Sequence, residues 1–313
     1  MVTARRIAVI IPYYQKREGL LSEALKSVFA QTSPNVACII VVDDGSPHPA
    51  TAELRNFSAS ERSRITLIEQ KNAGVSAARN KGIDSLPPDV DLVAFLDPDD
   101  CWSPNHVSNA IAGFELGATF YFSDFRRTNS DTTRFERSRV HPDPAKKLKT
   151  GENLYRYEGD VVFDMVRSTM IGTSNVIMQR DLIGNHRFPD DISASEDLLF
   201  WATCLFGQGD HVIFSTNCEA ICCSSDGLIS SLTWGSNRSL EVIYDKLRIL
   251  HEFANFAAGN SPFQDWVFAE HRRLGHDFYI NARHRALHLK LLSPRLLVKF
   301  IQCWLTPLQR SGS

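Results

Sequence analysis

The stretch Phe95-Leu96-Asp97-Pro98-Asp99-Asp100 sets three carboxylates within four residues. Carboxylates this close disfavour one another's ionisation unless positive charge lies between them. A hard divalent cation, Mn²⁺ or Mg²⁺, meets that need when one or two carboxylates hold it and substrate phosphate oxygens complete the shell. Asp is also a common turn and cap residue. Here Ser103-Pro104 offers its own N-cap and first-turn pair for the next helix, so capping does not call on all three.

Two further polar groups could serve the same chemistry. Asp43-Asp44-Gly45-Ser46 follows an apolar run and could accept from a nucleobase N–H. The alternative is an Asx turn at Gly45, with Ser46-Pro47 opening a helix. Arg79 lies on a helical stripe that starts after Asn72-Ala73-Gly74, and could meet phosphate or simply face solvent.

The elements that must position these groups alternate. Ile7–Ile11 is a short apolar strand stopped by Pro12, and Glu18–Gln31 carries a helical stripe. Val36–Val42 is a second strand, residues 49–62 suit a helix, and Ile65–Ile68 is a third strand. A helix runs to about Ser85, and Leu92–Leu96 leads into the acidic stretch as a fourth strand. Three strand–helix repeats predict a doubly wound, largely parallel α/β sheet with right-handed crossovers. Ligands in such sheets bind beyond the carboxyl ends of the strands. The clusters at 12–18, 43–46 and 97–100 all fall there.

The pattern continues with a helix over Pro104–Leu116 and a strand over Thr119–Ser123. Residues 126–149 turn polar and read as a loop excursion. Thr173–Gln179, Val212–Phe214 and Ala220–Cys223 read as strands. Ser195-Glu196-Asp197 opens a helix, with Ser195 as its cap, and from about Ser239 the pattern is helical.

A chain of 313 residues can form one large α/β domain with an appendage, or two domains. Its net charge of −2 argues against a nucleic-acid partner. Seven cysteines are scattered without a CxxC pair, which suits free thiols in a reducing, cytoplasmic compartment better than disulfides. Cys218, Cys222 and Cys223 near His211 have poor spacing for zinc. The apolar run before Pro12 is too short for a signal peptide, and no stretch reaches the 18 apolar residues of a spanning helix. No G-x-G-x-x-G follows the first strand, and no G-x-x-x-x-G-K-[ST] occurs, so the usual dinucleotide and phosphate loops are excluded.

Taken together, Ile10-x-Pro12-x-Tyr14, Asp43-Asp44-Gly45-Ser46, Asn72-x-Gly74-x-x-x-Ala78-Arg79-Asn80, Asp97-Pro98-Asp99-Asp100 and Glu196-Asp197-x-x-x-Trp201 resemble the successive motifs of family 2 glycosyltransferases over about residues 5–230. The resemblance implies the GT-A fold, with residues 1–235 as the catalytic domain, 125–172 as an excursion on the acceptor side, and 236–313 as a helical appendage. It implies an inverting, metal-dependent transfer of one sugar from a nucleoside-diphosphate sugar, usually of uridine, to a hydroxyl of a glycan or lipid-linked acceptor. Pro12, Tyr14 and Glu18 would line the nucleoside pocket, Asp43 would bond the base, Arg79 would lie near base and diphosphate, and Asp44, Asn72 and Gly74 would also bind substrate. Asp97 would meet the ribose or the Mn²⁺ or Mg²⁺ ion, and Asp99 the ion. Asp197 would be the general base, with Glu196 beside it.

Two departures stand out. Gln15 replaces a frequent Asn, and Ile221-Cys222-Cys223-Ser224 replaces the family's Tyr-Arg-x-His, so a basic contact is missing or comes from elsewhere. A non-catalytic nucleotide-sugar-binding relative is the alternative this keeps open. A phosphohydrolase built on Asp97-x-Asp99 ranks lower, because the motif comes late and lacks its Thr. The Gln-x-x-Arg-Trp motif of processive synthases is absent, which points to single addition. Residues 283–305 mix cations with bulky apolar side chains, as a helix pair packed on the domain or as a peripheral contact with the inner face of the membrane.

Overall fold

The computed structural model describes residues 5–138, 147–148, 153–207, 211–223, 236–287 and 293–308. Two compact units are present: Met1–Asp190 with Phe200–Ser224, and Asp191–Leu199 with Ser225–Ser313.

The first unit is built on β1 (Ile7–Tyr13), β2 (Val36–Asp43), β3 (Ile65–Glu69) and β4 (Leu92–Phe95), joined through α1 (Leu20–Phe29), α2 (Ala50–Leu54), α3 (Ala59–Arg62) and α4 (Val75–Asp84). These strands are all parallel, in the order β3-β2-β1-β4. Every residue of β1 is buried, as a continuous apolar run between two helical layers requires. Ile7, Val9, Ile11 and Tyr13 share a core cluster with Leu21, Ala24, Leu25 and Val28 of α1. Each such buried Leu, Ile or Val contributes roughly 1.5–3 kcal/mol. On the other face α4 packs so closely that a Cβ at Gly82 would come within 2.5 Å of Ile10 Cγ2.

Beyond β4 follow β5 (Cys101–Trp102), α5 (His106–Glu115), β6 (Phe120–Arg127), α6 (Arg134–Ser138), β7 (Leu154–Arg156), α7 (Val161–Ser168), β8 (Val176–Gln179), α8 (Arg180–Ile183), α9 (Glu196–Leu205) and β9 (Val212–Cys222). They extend the sheet to β3-β2-β1-β4-β8-β6-β9-β5, with β7 also on β9. β4, β6 and β8 pair antiparallel through β8, while β6 and β9 are parallel. The result is the mixed, largely parallel α/β sheet with helices on both faces that the strand–helix alternation predicts.

The differences have local causes. β1 continues through Pro12, because its pairing with β4 ends at Ile10↔Phe95 and the missing N–H breaks no ladder bond there. The helix expected over 49–62 is two helices, since Ser58 and Glu61 form a capping box that starts a second one. Ser103 does not cap α5: Asn105 precedes it without a side-chain cap, and Ser103 N–H donates to Glu219 O at 2.8 Å. The two strands expected in 212–223 are one, because the polar Thr216-Asn217 pair falls in a bulge opposite Ser123–Asp124. Part of the expected excursion is ordered as the end of β6 and α6, while 139–146 and 149–152 lie outside the described residues.

The second unit contains α10 (Asn237–Phe256), α11 (Ser261–Leu287) and α12 (Pro294–Leu305). Ser236 caps α10 through Ser239 N–H, and Ser293 caps α12 through Leu296 N–H. Asp245 of α10 accepts from Ser193 N–H at 2.9 Å and Ser193 Oγ at 2.6 Å, which fastens the 191–199 segment to the helices. α12 docks by Leu296 and Phe300, the latter stacked on Phe278, and Gly275 leaves room for the Trp304 indole.

Candidate active site

The carboxyl ends of β1, β2 and β4 bring three sequence-distant loops to one edge. Tyr13 stands opposite Asp43 at the end of the β1–β2 ladder, and Leu96 N–H donates to Ile10 O just before the acidic stretch. Pro12 is buried in β1, whereas Tyr14 is 45% exposed and points out of the edge. Glu18 is exposed and 3.0 Å from His48 Nε2.

Asp43 and Asp44 are both buried and do structural work. Asp43 Oδ1 accepts from Ser46 N–H and Oδ2 from Ala50 N–H, each at 2.8 Å, so it closes the Asx turn and caps α2. Asp44 reaches across to the β3–α4 loop. Its Oδ1 accepts from Gln70 Nε2 at 2.7 Å and Ala73 N–H at 2.8 Å, and its Oδ2 from Gly74 N–H at 2.8 Å. Gly45 (φ +67°) makes the two loops fit: a Cβ there would lie 3.0 Å from Asn72 N. Asp44 thereby fixes the exposed Asn72–Gly74 segment beside the Asp43 loop.

Arg79, buried on α4, donates from Nη2 to Asp97 Oδ1 at 2.8 Å. Its guanidinium lies 5.2 Å from the centre of the Phe188 ring. Asn80 holds that ring in place through a reciprocal pair with the Phe188 backbone, N–H to Oδ1 and Nδ2 to O, each at 2.8 Å. Thus the Arg79-Asn80 dipeptide sets one wall of the acidic loop.

The acidic loop has its own anchor, which sequence reasoning missed. Ser174 Oγ donates to Asp100 Oδ2 at 2.6 Å and accepts from Asp97 N–H at 3.0 Å. The Ser174 carbonyl accepts from Trp102 Nε1 at 2.6 Å. Cys223 N–H donates to Asp100 Oδ1 at 2.9 Å. Asp100 is therefore turned inward, while Asp97 and Asp99 stay partly exposed. Behind it, buried Glu219 on β9 accepts from His106 Nδ1 at 2.9 Å, Tyr121 OH at 2.7 Å and Asn109 Nδ2 at 2.7 Å. A lone Ser before a strand carries no sequence signal; only the pairing of β5 with β9 reveals the Cys223 contact.

Burial, then the charges of Asp97 and Asp99, push the Asp100 carboxyl up to about 7. The partly exposed Asp97 and Asp99 offer hard oxygen donors that fit Mn²⁺ or Mg²⁺. No cluster of three or more His, Cys, Asp or Glu with metal-holding geometry occurs among the described residues. A cation held here would take one or two ligands from the protein and the remainder from substrate and water. Of the four residues that stand at the expected Tyr-Arg-x-His, Cys222 lies where the Arg was expected, and Ser224 lies outside the described residues.

Glu196 and Asp197 form the first turn of α9, and Asp197 Oδ1 accepts from Leu198 N–H at 2.8 Å. Ser195 adopts φ +66°, outside the extended region usual for an N-cap. Trp201, one turn after Asp197, is fully buried against Phe95 and Phe120.

The Rhizobium meliloti succinoglycan biosynthesis protein ExoW is 35% identical over 208 residues, covering 65% of this chain and 64% of ExoW. Glycosyltransferase GlyA of Streptococcus pneumoniae is 38% identical over 107 residues, covering 34% of this chain and 15% of GlyA. The chain thus spans less than two thirds of these relatives' lengths. Staphylococcus aureus TarS in complex with UDP-GlcNAc superposes with a TM-score of 0.61 at 16% identity, over 95% of this chain and 79% of TarS 1–349. The Pyrobaculum calidifontis mannosyltransferase PcManGT, in complex with GDP-Man and Mn²⁺, gives 0.59 at 16%, over 96% and 80%. Likeness at that identity shows a shared fold. The model of glycosyl transferase family 2 matches residues 8–184, more than half of the sequence, and the chain belongs to that family.

Proposed function

We propose that the protein is an inverting, metal-dependent glycosyltransferase that moves one sugar from a uridine-diphosphate sugar to a hydroxyl of a glycan or lipid-linked acceptor. The observation that carries this reading is the acidic loop: Asp97 and Asp99 are partly exposed, with Asp97 paired to Arg79, at the sheet edge that also carries the Asp43–Asp44 loop. Pro12, Tyr14, Glu18 and Asp43 bind the nucleoside, and Arg79 steadies Asp97 next to the diphosphate. Asp97 and Asp99 hold the Mn²⁺ or Mg²⁺ ion. When bound, that ion supplies Lewis-acid neutralisation of the leaving diphosphate. Asp197 takes the proton of the acceptor hydroxyl, with Glu196 beside it, so that attack comes opposite the leaving group. Residues 1–235 carry donor binding and catalysis, 125–172 face the acceptor, and 236–313 form the appendage.

The same proposal extends to peripheral membrane contact on the cytoplasmic face. α12 uses one face for packing, yet Leu297, Val298, Ile301 and Leu305 are 38–66% exposed along the other. Arg295 and Lys299 lie in the same helix, which suits an anionic surface. No described helix is long and apolar enough to cross a membrane. All seven cysteines are free, as a reducing compartment allows.

A nucleotide-sugar screen by thermal stabilisation tests the reading. A uridine-diphosphate sugar is expected to raise the melting temperature in Mn²⁺ but much less in EDTA, and Asp99→Ala is expected to remove the difference. Equal stabilisation by UDP with and without the ion would reject the metal role.

A further inference from the structure

The end of β6 and the turn that follows it form a cationic face close to the acidic loop. Arg127 is in register with Cys222 of β9, and the next residue, Cys223, donates its N–H to Asp100 Oδ1 at 2.9 Å. The backbone of Arg127 thus lies one strand spacing, about 5 Å, from the β9 segment that anchors Asp100. An isolated antiparallel bridge between Arg126 and Thr133 folds the chain back on itself. Buried Asp124 fixes that fold, its Oδ1 accepting from Phe125 N–H at 2.8 Å and Phe135 N–H at 3.0 Å.

The arginines divide by task. Arg134 donates to Ser168 O at 2.7 Å and Thr169 O at 3.0 Å, capping the end of α7. Arg127 and Arg137 are exposed and Arg126 is half-buried, and none of the three has an ion-pair partner among the described residues. The nearby carboxylates do not neutralise them: Asp124 is bonded to backbone, Glu136 accepts from Thr133 N–H at 2.7 Å, and Asp131 is exposed without an ion pair. The field is felt at Arg134, whose pKa is lowered by burial and then by Arg137 and Arg127. An exposed positive cluster on a chain of net charge −2, beside the β9 segment that anchors the acidic loop, is placed to receive an anionic second substrate.

Resting on the glycosyl-transfer reading above, we propose that the acceptor carries a phosphoryl group and docks it on Arg127 and Arg137. These two share the face of Arg134, whereas Arg126 leaves β6 on the opposite face. Guanidinium forks match phosphate oxygens in pairs, which fixes orientation as well as affinity. The acceptor's anionic end would then sit over the β6–α6 turn, with its hydroxyl directed toward the sheet edge.

The test measures binding to the full chain with the donor pocket filled by UDP and Mn²⁺. Geranyl phosphate represents a lipid-borne phosphoryl group, a glycerol-phosphate oligomer a polymer-borne one, and octyl glucoside an uncharged control. At least one phosphate probe is expected to bind, more weakly as KCl is raised. Arg127→Gln/Arg137→Gln is expected to raise its Kd at least tenfold while UDP affinity and melting temperature stay unchanged. The lipid and polymer arms tell the two sources apart. Unchanged affinity in the double variant, no phosphate binding by the wild type, or equally tight octyl glucoside would overturn the proposal. If UDP with Mn²⁺ fails to stabilise the protein, the donor reading fails instead, and the phosphate titrations are read without UDP.

Discussion

Ser174 shows how much one hydroxyl can arrange. It ties the amide of Asp97 to the carboxylate of Asp100, and so braces the loop that carries the partly exposed Asp97 and Asp99. Removing it as Ser174→Ala leaves a buried carboxylate short of a donor, at a cost of about 1–3 kcal/mol. Stability is therefore expected to fall, and Mn²⁺-dependent UDP affinity to fall several-fold, with a smaller change in EDTA; titration calorimetry under both conditions decides. Asp197 can be separated from its helical role in the same way. As a first-turn anion it is worth at most about 1 kcal/mol to stability. As general base it is worth roughly 10²–10⁴ in rate. Asp197→Asn is expected to keep UDP affinity and melting temperature while losing transfer by that factor. If instead Glu196→Gln is crippled and Asp197→Asn turns over normally, the base is Glu196.

At the scale of elements, α12 carries two apolar faces, and each has a distinct test. Phe300 stacks on Phe278 and holds the helix to α11, whereas Ile301 and Val298 are exposed. Ile301→Asp is expected to leave melting unchanged and abolish cosedimentation with anionic liposomes at low salt; Phe300→Ala is expected to lower stability by about 3–5 kcal/mol. Absence of liposome binding by the wild type would leave only the packed face. The sequence periodicity announced the two readings of this tail but could not assign faces, because both stripes are apolar. The parallel half of the sheet was legible for the opposite reason: β1, β2 and β4 are unbroken apolar runs that end in polar clusters. The β5–β9 pair was not legible. A two-residue strand has no period, and the contacts of Asp100 with Ser174 and Cys223 span 74 and 123 positions. Asp43 and Asp44 were visible as a site motif, yet their backbone bonds appear only when the β3–α4 loop is brought alongside.

The whole molecule should report the acidic loop through its stability. In the metal-free protein Asp100 ionises at about 7, above the 3.8 of an ordinary Asp. Below pH 4 both folded and unfolded chains are protonated there, and the group contributes no difference. Between pH 4 and 7 the unfolded chain ionises while the folded chain does not, so stability falls as pH rises. Above 7 the loss is complete and the contribution is flat. Its limit is a few kcal/mol, about 1.4 for each pH unit between the two values. Buried Asp124 is also shifted upward and adds a slope of the same sign. His271 is shifted downward by burial and by His251, so it costs stability as pH falls and opposes both. The net pH profile is therefore mixed, and a difference between two proteins isolates the loop. Asp100→Asn keeps an acceptor for Cys223 N–H and a polar group for Ser174, but cannot ionise. In EDTA its stability relative to wild type is expected to rise between pH 4.5 and 7.5, and to level off above. A cation bound only by the folded chain reverses the penalty, since its charge favours ionised Asp100 and adds RT ln(1 + [L]/Kd), about 2.7 kcal/mol at a hundredfold excess over Kd. The stabilisation of the wild type by Mn²⁺ with UDP is thus expected to be larger at pH 8 than at pH 5.5. Denaturant melts of both proteins across this range, with and without the ion, give the answer. Parallel profiles in EDTA would show that Asp100 is already ionised without a cation, and that the loop holds no excess charge for one to neutralise.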